Sequence, residues 1–187
     1  MKNFEYAKYT HLHRVALRYL ISTNKYLTDD ERKELLFRAE THDMDKMVLY
    51  MFWDKKDASA YHRSHASHHN RQNPTDLDVL ESIFDFECAG LTKPDKPLNA
   101  YNTVMKLKPD LAPKFMPVLE RLHMDASYNV CTPEALRYIS KFKNDVEQDI
   151  LDEIHTYLTT TSKNIYTELG DKCCSKEQYE KLLNSKL

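Results

Sequence analysis

The sequence predicts an all-α protein, and three observations support this fold class. Only two glycines occur among 187 residues, which disfavours hairpin turns and glycine-rich phosphate loops, because both need residues at positive φ. Apolar residues recur at helical spacing in several stretches. Two further stretches, Thr28–Glu31 and Ser175–Gln178, carry the spacing of a capping box, which marks the N-terminus of a helix.

These signals place the helices in order along the chain. Leu12, Val15 and Tyr19 recur at helical spacing in a first helix over residues 4–22. The capping box at Thr28 opens a second helix, which we expect to continue through His42 and Lys46. The remaining helices are predicted over residues 57–71, 75–90, 109–124 and 132–157, with a short last helix after Ser175. The helix at 109–124 contains Pro113 and Pro117, and proline is a residue that can break a helix.

Length and composition limit the classes of protein. A chain of 187 residues fits one domain with a substantial core. Its formal net charge of −2 gives no strong field for nucleic acid or an anionic membrane surface. We expect no signal peptide, because the charged residues Lys2, Glu5 and Lys8 interrupt any apolar run near the N-terminus. The longest apolar run, residues 47–53, is too short to span a membrane. We therefore expect a cytoplasmic protein without membrane or strong nucleic-acid partners.

Histidine and acidic residues recur in an order that suits metal binding. Imidazole and carboxylate are the usual protein ligands for zinc, iron and manganese. Four of the nine histidines lie within residues 62–69, and a helix there would align three of them on one face. The candidate ligands, in chain order, are His11, His42, Asp43, His62, His65, His68, His69 and Asp85.

Other histidines and acids are expected to have ordinary roles. His13 is two residues from His11 and so lies on a different face of the first helix, which argues against its being a ligand. The acidic residues of the predicted helix at 132–157 are expected to be solvated surface. They include Glu147, Asp149, Asp152 and Glu153.

Three segments resemble motifs of the HD superfamily of metal-dependent phosphohydrolases. Residues 11–16 (His-Leu-His-Arg-Val-Ala) are similar to its first-helix motif, and residues 42–46 (His-Asp-Met-Asp-Lys) to its His-Asp-x-x-Lys form. Residues 62–70 and 81–86 resemble an HD-like family of bacteria and phages whose function is unassigned. The resemblance covers residues 6–90. It departs at Asp45, where Ser or Gly is usual, at Phe86, where Trp is usual, and in lacking a Gly-Tyr-Pro motif.

The resemblance implies a fold and a metal site. The fold is an HD-domain-like helical bundle over residues 1–125, with C-terminal helices at 126–187 that pack on it as a single unit. The core ligands would be His11, His42, Asp43 and Asp85, and two or three of the histidines at 62–69 would complete a second site. The protein would then hold two divalent ions, and the sequence does not distinguish Mn, Fe, Zn, Mg or Ni.

The predicted function is hydrolysis of a phosphate ester, in a nucleotide or another small phosphorylated molecule, by a metal-activated water. Catalytic roles fall to Asp43, which would bridge the ions, to Lys46, and to Glu81, which would orient a histidine or move a proton. Lys46 matches a lysine that contacts substrate phosphate in related phosphodiesterases. Arg63 and Arg71 are further candidates for binding the phosphate.

Two alternatives stay open at this point. Some HD proteins with a His-Asp-x-x-Lys motif are di-iron oxygenases with a compatible ligand order, and a metal-stabilised binding protein without turnover would need the same ligands. Lys46 stands where the nucleotidase and (p)ppGpp-hydrolase branches carry a catalytic Glu, which argues against those substrates. The missing Gly-Tyr-Pro motif removes the basis for a cyclic-di-GMP enzyme. The sequence also leaves a homodimer open.

Overall fold

The computed structural model describes residues 4–69, 72–93, 99–144, 146–161 and 165–184. This part of the chain contains helices, turns and connecting segments but no strand, which confirms the all-α fold class. Short 3-10 turns lie at Ser67–His69, Pro109–Leu111 and Gly170–Lys172. The α-helices are α1 (Phe4–Thr23), α2 (Asp29–Ala39), α3 (Met44–Leu49), α4 (Lys55–His65), α5 (Asp76–Thr92), α6 (Ala100–Leu107), α7 (Ala112–Arg121), α8 (Pro133–Ser140), α9 (Glu147–Thr160), α10 (Ile165–Leu169) and α11 (Lys176–Asn184).

Helix N-termini lie where the capping residues predict them. At each of four helices, a side-chain hydroxyl accepts a hydrogen bond from the backbone amide three residues further on, and so satisfies one amide that has no partner within the helix. The four capping residues are Thr28, Thr75, Thr132 and Ser175. At Thr28 the box is complete, because the Glu31 carboxylate accepts from the Thr28 amide at 2.9 Å.

The predicted second helix is wrong beyond Ala39. The chain turns there, and Asp43 adopts a left-handed backbone conformation with φ 59° before α3 begins at Met44. Arg14 Nη2 donates to the Glu40 carbonyl at 2.7 Å. A side chain therefore satisfies a carbonyl at the end of α2 that another helical turn would otherwise have satisfied.

Three other predicted helices differ from those observed. Helix α4 ends at His65 rather than at residue 71, and residues 70–71 lie outside the described part of the chain. The long helix predicted at 132–157 is two helices, α8 and α9. The prolines at 113 and 117 do not interrupt α7, which runs from Ala112 to Arg121 with Pro117 inside it.

The chain forms two compact units, each assembled from separate segments. The first unit comprises Met1–His11, Thr41–Arg63 and Lys143–Leu187, and the second comprises Leu12–Glu40 and Ser64–Phe142. The predicted division near residue 125 stays a prediction.

The first unit has an apolar core centred on α3. Met47, Val48 and Leu49 are buried, and they cluster with Ile150 and Ile154 of α9. Burial of these side chains is the main source of favourable free energy for holding α3 in place. Because α3 follows Asp43 directly, this packing also fixes the His42–Asp43 turn.

The second unit has its own core, in which α5 is the central helix. Ile83 and Phe84 of α5 are buried and cluster with Leu17 and Ile21 of α1 and with Phe115 of α7. Helix α5 is buried around most of its circumference, so several of its acidic side chains are buried as well. Such groups are costly to bury unless they find partners.

Within the described residues, no helix combines the length and the apolar character that crossing a membrane requires.

Candidate metal centre

Buried histidine, aspartate and glutamate side chains among the described residues could hold a metal ion. Four predicted ligands belong to the first unit and four to the second. Those of the first unit are His11, His42, Asp43 and His62. Those of the second are His65, His68, His69 and Asp85.

In the first unit, Asp43 is the centre of a buried polar cluster. Its left-handed backbone is one that aspartate tolerates better than most residues do. Its Oδ1 lies 2.9 Å from His62 Nε2 and 3.8 Å from His42 Nε2. Its Oδ2 lies 2.5 Å from Lys46 Nζ. We call His42, Asp43 and His62 the Asp43 cluster.

The Asp43 cluster offers donor atoms of the types that bind divalent ions. Ligand atoms at metal–ligand distances near 2.1 Å are separated from one another by about 3.0–3.4 Å, depending on the coordination angle. The separations of 2.9 and 3.8 Å from Asp43 Oδ1 to the two imidazole nitrogens lie on either side of that range. Two imidazoles and one carboxylate are also a donor set that zinc, iron and manganese accept.

The electrostatics of the Asp43 cluster favour an ionised carboxylate. Burial by itself raises the pKa of Asp43, but Lys46, His42 and His62 outweigh it and hold that pKa well below its ordinary value. Burial lowers the pKa of the His62 imidazole, whereas Asp43 and Asp45 raise it, and the result is a pKa of about 9. The Asp43 carboxylate is therefore charged at neutral pH, as a metal ligand must be.

Lys46 stands one helical turn after Asp43, on α3. Its ammonium contacts the Asp43 carboxylate, and its side chain is 20% exposed. It thus brings a positive charge to the edge of the Asp43 cluster while remaining accessible to solvent. This position suits the predicted contact with a substrate phosphate, which stays a prediction.

Two carboxylates in the first unit contact predicted ligand histidines and were not identified from the sequence. Asp45 lies on α3, and its two oxygens are 2.8 and 2.9 Å from His62 Nδ1. Glu153 lies on α9, and its Oε2 is 3.0 Å from His11 Nδ1. The interpretation of Glu153 as solvated surface is wrong, since its side chain is only 23% exposed and bonds to a buried histidine.

Arg63 is exposed on α4. Arg71 lies outside the described residues.

In the second unit, the predicted ligand Asp85 pairs with His13. Asp85 Oδ1 lies 2.7 Å from His13 Nε2, and the two side chains are 15% and 7% exposed. The sequence analysis argued against His13 as a metal ligand, because its spacing in α1 places it on a different face from His11. Nothing in the sequence shows that α5 presents a carboxylate to His13.

His68 and Glu81 form a second buried pair in this unit. His68 Nδ1 lies 3.4 Å from Glu81 Oε1, and Ser82 Oγ donates to the His68 carbonyl at 2.7 Å. Glu81 Oε2 is in turn 3.4 Å from Arg38 Nη1, which also bonds to Asp78 at 2.8 Å. The contact is consistent with Glu81 orienting a histidine, although its catalytic role stays a prediction.

The expected alignment of His62, His65 and His69 on one helical face is wrong, because α4 ends at His65. His65 is exposed, and its Nδ1 lies 2.8 Å from Ser64 Oγ. His69 is partly buried, and its ring centroid lies 4.3 Å from that of His68. His62 and His68 are buried whereas His65 is exposed, so His65 is the weakest ligand candidate of the four.

Comparison with known proteins adds no relative: no protein-family model, no curated protein and no solved structure matches this chain. The resemblance to the HD superfamily accordingly rests on the sequence motifs and stays a prediction.

Proposed function

We propose that the protein is a metal-dependent phosphohydrolase that acts on a nucleotide or another small phosphate ester. The observation that carries the proposal is the Asp43 cluster with Lys46 beside it. Two imidazole nitrogens lie within 3.8 Å of one buried carboxylate oxygen, and an ammonium contacts the other oxygen of the same carboxylate. The imidazoles that would bind the metal and the ammonium that would bind phosphate thus lie beside the same carboxylate, that of Asp43.

The side chains of the Asp43 cluster divide the chemistry between them. A bound divalent ion would supply a water whose pKa is about 7, and hence a nucleophile at neutral pH. Asp43 is ionised at that pH and needs no proton loss to act as a ligand. Lys46 would act as a compact positive charge toward phosphate oxygens, because its side chain reaches solvent at the edge of the cluster.

The sequence motifs add further ligands to this proposal. On the resemblance, His11 and Asp85 would join the core set, and two or three of His62, His65, His68 and His69 would hold a second ion. These assignments support two metal ions per chain rather than one.

The decisive experiment combines metal analysis with a panel of phosphate esters. The protein is purified without chelator and without nickel resin, since histidine-rich sites scavenge nickel. Metal content is measured by mass spectrometry, and phosphate release is followed with Mn²⁺, Zn²⁺ or Mg²⁺ added. We expect bound metal and metal-dependent release of phosphate from at least one ester.

The matched variants are Asp43→Asn and Asp57→Asn. Asparagine keeps the size of aspartate and tolerates left-handed φ, so Asp43→Asn removes the charge with little backbone strain. We expect it to weaken metal binding and activity by more than about 100-fold, because loss of an outer-shell partner alone costs 10–100-fold. Asp57 is exposed in the same unit, and its variant should behave as wild type.

Three outcomes would contradict the proposal. Full metal content and turnover in Asp43→Asn would exclude the Asp43 cluster as the site. Two irons per chain with oxygen consumption, and no phosphate release, would indicate an oxygenase. A fold that melts on chelation, with no turnover of any ester, would indicate a metal-stabilised binding protein.

A further inference from the structure

The geometry points to Cys173 and Cys174 as a chelating pair for a trivalent arsenical, a class of compound whose arsenic bonds two thiol sulfurs at once. Both cysteines lie in the first unit, between the 3-10 turn at Gly170–Lys172 and α11. They are not members of the Asp43 cluster, so this inference is independent of the proposed hydrolysis.

The thiols of the two cysteines lie beside each other. Successive residues in a helical turn point about 100° apart, so adjacent cysteines in such a turn do not by themselves bring their sulfurs together. Cys173 has helical backbone angles, φ −74° and ψ −56°, and its thiol nevertheless shares a side-chain hydrogen bond with that of Cys174. Trivalent arsenic is pyramidal and bonds two sulfurs on the same side, whereas an ion in linear coordination would hold them on opposite sides.

Both thiols are buried, and burial keeps them protonated. Cys173 and Cys174 are 3% and 6% exposed. Burial raises the pKa of both thiols, to about 12 for Cys173. The thiolate is the form that attacks alkylating agents and binds metal cations, so this pair is poorly suited to either.

A trivalent arsenical avoids this obstacle, because its reaction with thiols releases water and no net proton. In water such a compound carries two As–OH groups. At each group an S–H bond and an As–O bond break, an As–S bond forms, and the thiol proton leaves with the hydroxyl as water. Two such exchanges join arsenic to both sulfurs without oxidation or reduction of either element. The product is uncharged, which favours it in a buried site.

Aromatic side chains adjoin the pair and suit an arsenical that carries an organic group. Trp53 Nε1 donates to the Cys173 carbonyl at 3.1 Å, and the rings of Tyr166 and Tyr179 stack with their centroids 3.7 Å apart. After burial, Cys174 is the next cause that raises the pKa of Tyr179, which places that ring near the thiol. Helix α11 follows directly, and none of its residues is buried. Few contacts therefore oppose a local opening that admits the ligand.

The test exposes folded full-length protein at pH 7 to phenylarsine oxide, which water hydrates to the form with two As–OH groups. Mass spectrometry of the intact and digested protein reads the product. We expect one phenylarsenic group per chain, on the peptide that contains both cysteines. The adduct should survive an excess of a monothiol and be removed by a dithiol, because binding through two linked sites exceeds binding through one by about 10²–10⁴-fold.

Iodoacetamide provides the chemical control, because it needs a thiolate. The pKa of Cys173 is about three units above the ordinary value of 9.0, so about 1000-fold less thiolate is present at pH 7. The greater nucleophilicity of each thiolate recovers part of this loss. We expect alkylation of Cys173 to be slower than that of the urea-unfolded protein by about 30-fold or more.

Single-cysteine variants test the chelation. Cys173→Ala and Cys174→Ala each leave one thiol of the pair, and each should lose about 100-fold or more in affinity for phenylarsine oxide. Cys131→Ala is the matched control, since it removes a thiol from the second unit, and it should bind as wild type does. Circular dichroism checks that each variant is folded, and the location of arsenic in wild-type protein needs no variant.

Four results would overturn the inference. They are the absence of an adduct on folded protein, an adduct that forms only in urea, an adduct located on Cys88 or Cys131, and undiminished affinity in folded Cys173→Ala or Cys174→Ala.

Discussion

Replacing Glu87 by glutamine should remove a large part of the pH dependence of folding stability. Glu87 lies on α5 in the second unit and is 1% exposed. Its Oε1 accepts a hydrogen bond from the Ala100 amide at 2.7 Å, at the first turn of α6. Burial raises the pKa of Glu87 to about 7, and the hydrogen bond from Ala100, which lowers it, only partly offsets that effect.

The size and sign follow from the difference between the folded and unfolded pKa. The unfolded value is 4.5 and the folded value about 7, which at 1.36 kcal/mol per unit corresponds to about 3 kcal/mol at most. Between these pH values the folded protein binds more protons than the unfolded chain. The contribution to stability is therefore complete below pH 4.5, falls as the pH rises, and is lost above about pH 7.

Urea unfolding followed by circular dichroism at a series of pH values from 4.5 to 8 measures this effect. Glutamine has the size of glutamate and cannot ionise, so the stability of Glu87→Gln relative to wild type should rise by about 3 kcal/mol at most across the range. The same substitution at exposed Glu120 should show no such trend. A constant difference between Glu87→Gln and wild type at every pH would refute the reasoning.

Three other predictions concern the buried charges, the packing and the metal. Arg38→Met should destabilise the protein by about 3 kcal/mol in urea unfolding, because it leaves Asp78 and Glu81, 9% and 6% exposed, without their cation; a change below 1 kcal/mol would show that the charges are well solvated. Gly90→Ala should cost about 1 kcal/mol despite its better helix propensity, since the new Cβ would lie 2.9 Å from Val130 Cγ1. A double-mutant cycle should show that Val130→Ala relieves this cost, and additivity of the two changes would count against the clash. Adding metal at 100 times its dissociation constant should stabilise metal-free protein by about 2.7 kcal/mol, and an excess of chelator should reverse the shift in thermal unfolding.

Local sequence signals located helix beginnings far better than helix ends. Thr28, Thr75 and Thr132 each cap a helix as predicted, because capping depends on a hydroxyl and an amide three residues apart. The ends of α2 and α4 have no such local signal. The Glu40 carbonyl is satisfied by Arg14, and the His68 carbonyl by Ser82, and both partners are distant in sequence.

In the candidate site, too, the sequence identified residues of a local motif and missed a partner that is distant along the chain. Motif order picked out His42, Asp43 and His62, which lie together in the first unit. It treated Glu153 as solvated surface. The contact of Glu153 with His11 joins residues 142 positions apart, so no spacing rule within one helix could have revealed it.

The sequence by itself determined the all-α fold class, the four helix N-termini capped by Thr28, Thr75, Thr132 and Ser175, and a set of candidate metal ligands. These features depend on residue type and on spacing within a few turns. Only the tertiary structure decided where α2 and α4 end, which histidines of the 62–69 cluster are buried, and which carboxylates stand behind His11 and His62. The physical reason is that a buried polar group must find a partner wherever the packed chain supplies one. That partner is chosen by proximity in space, which the order of residues along the chain does not record.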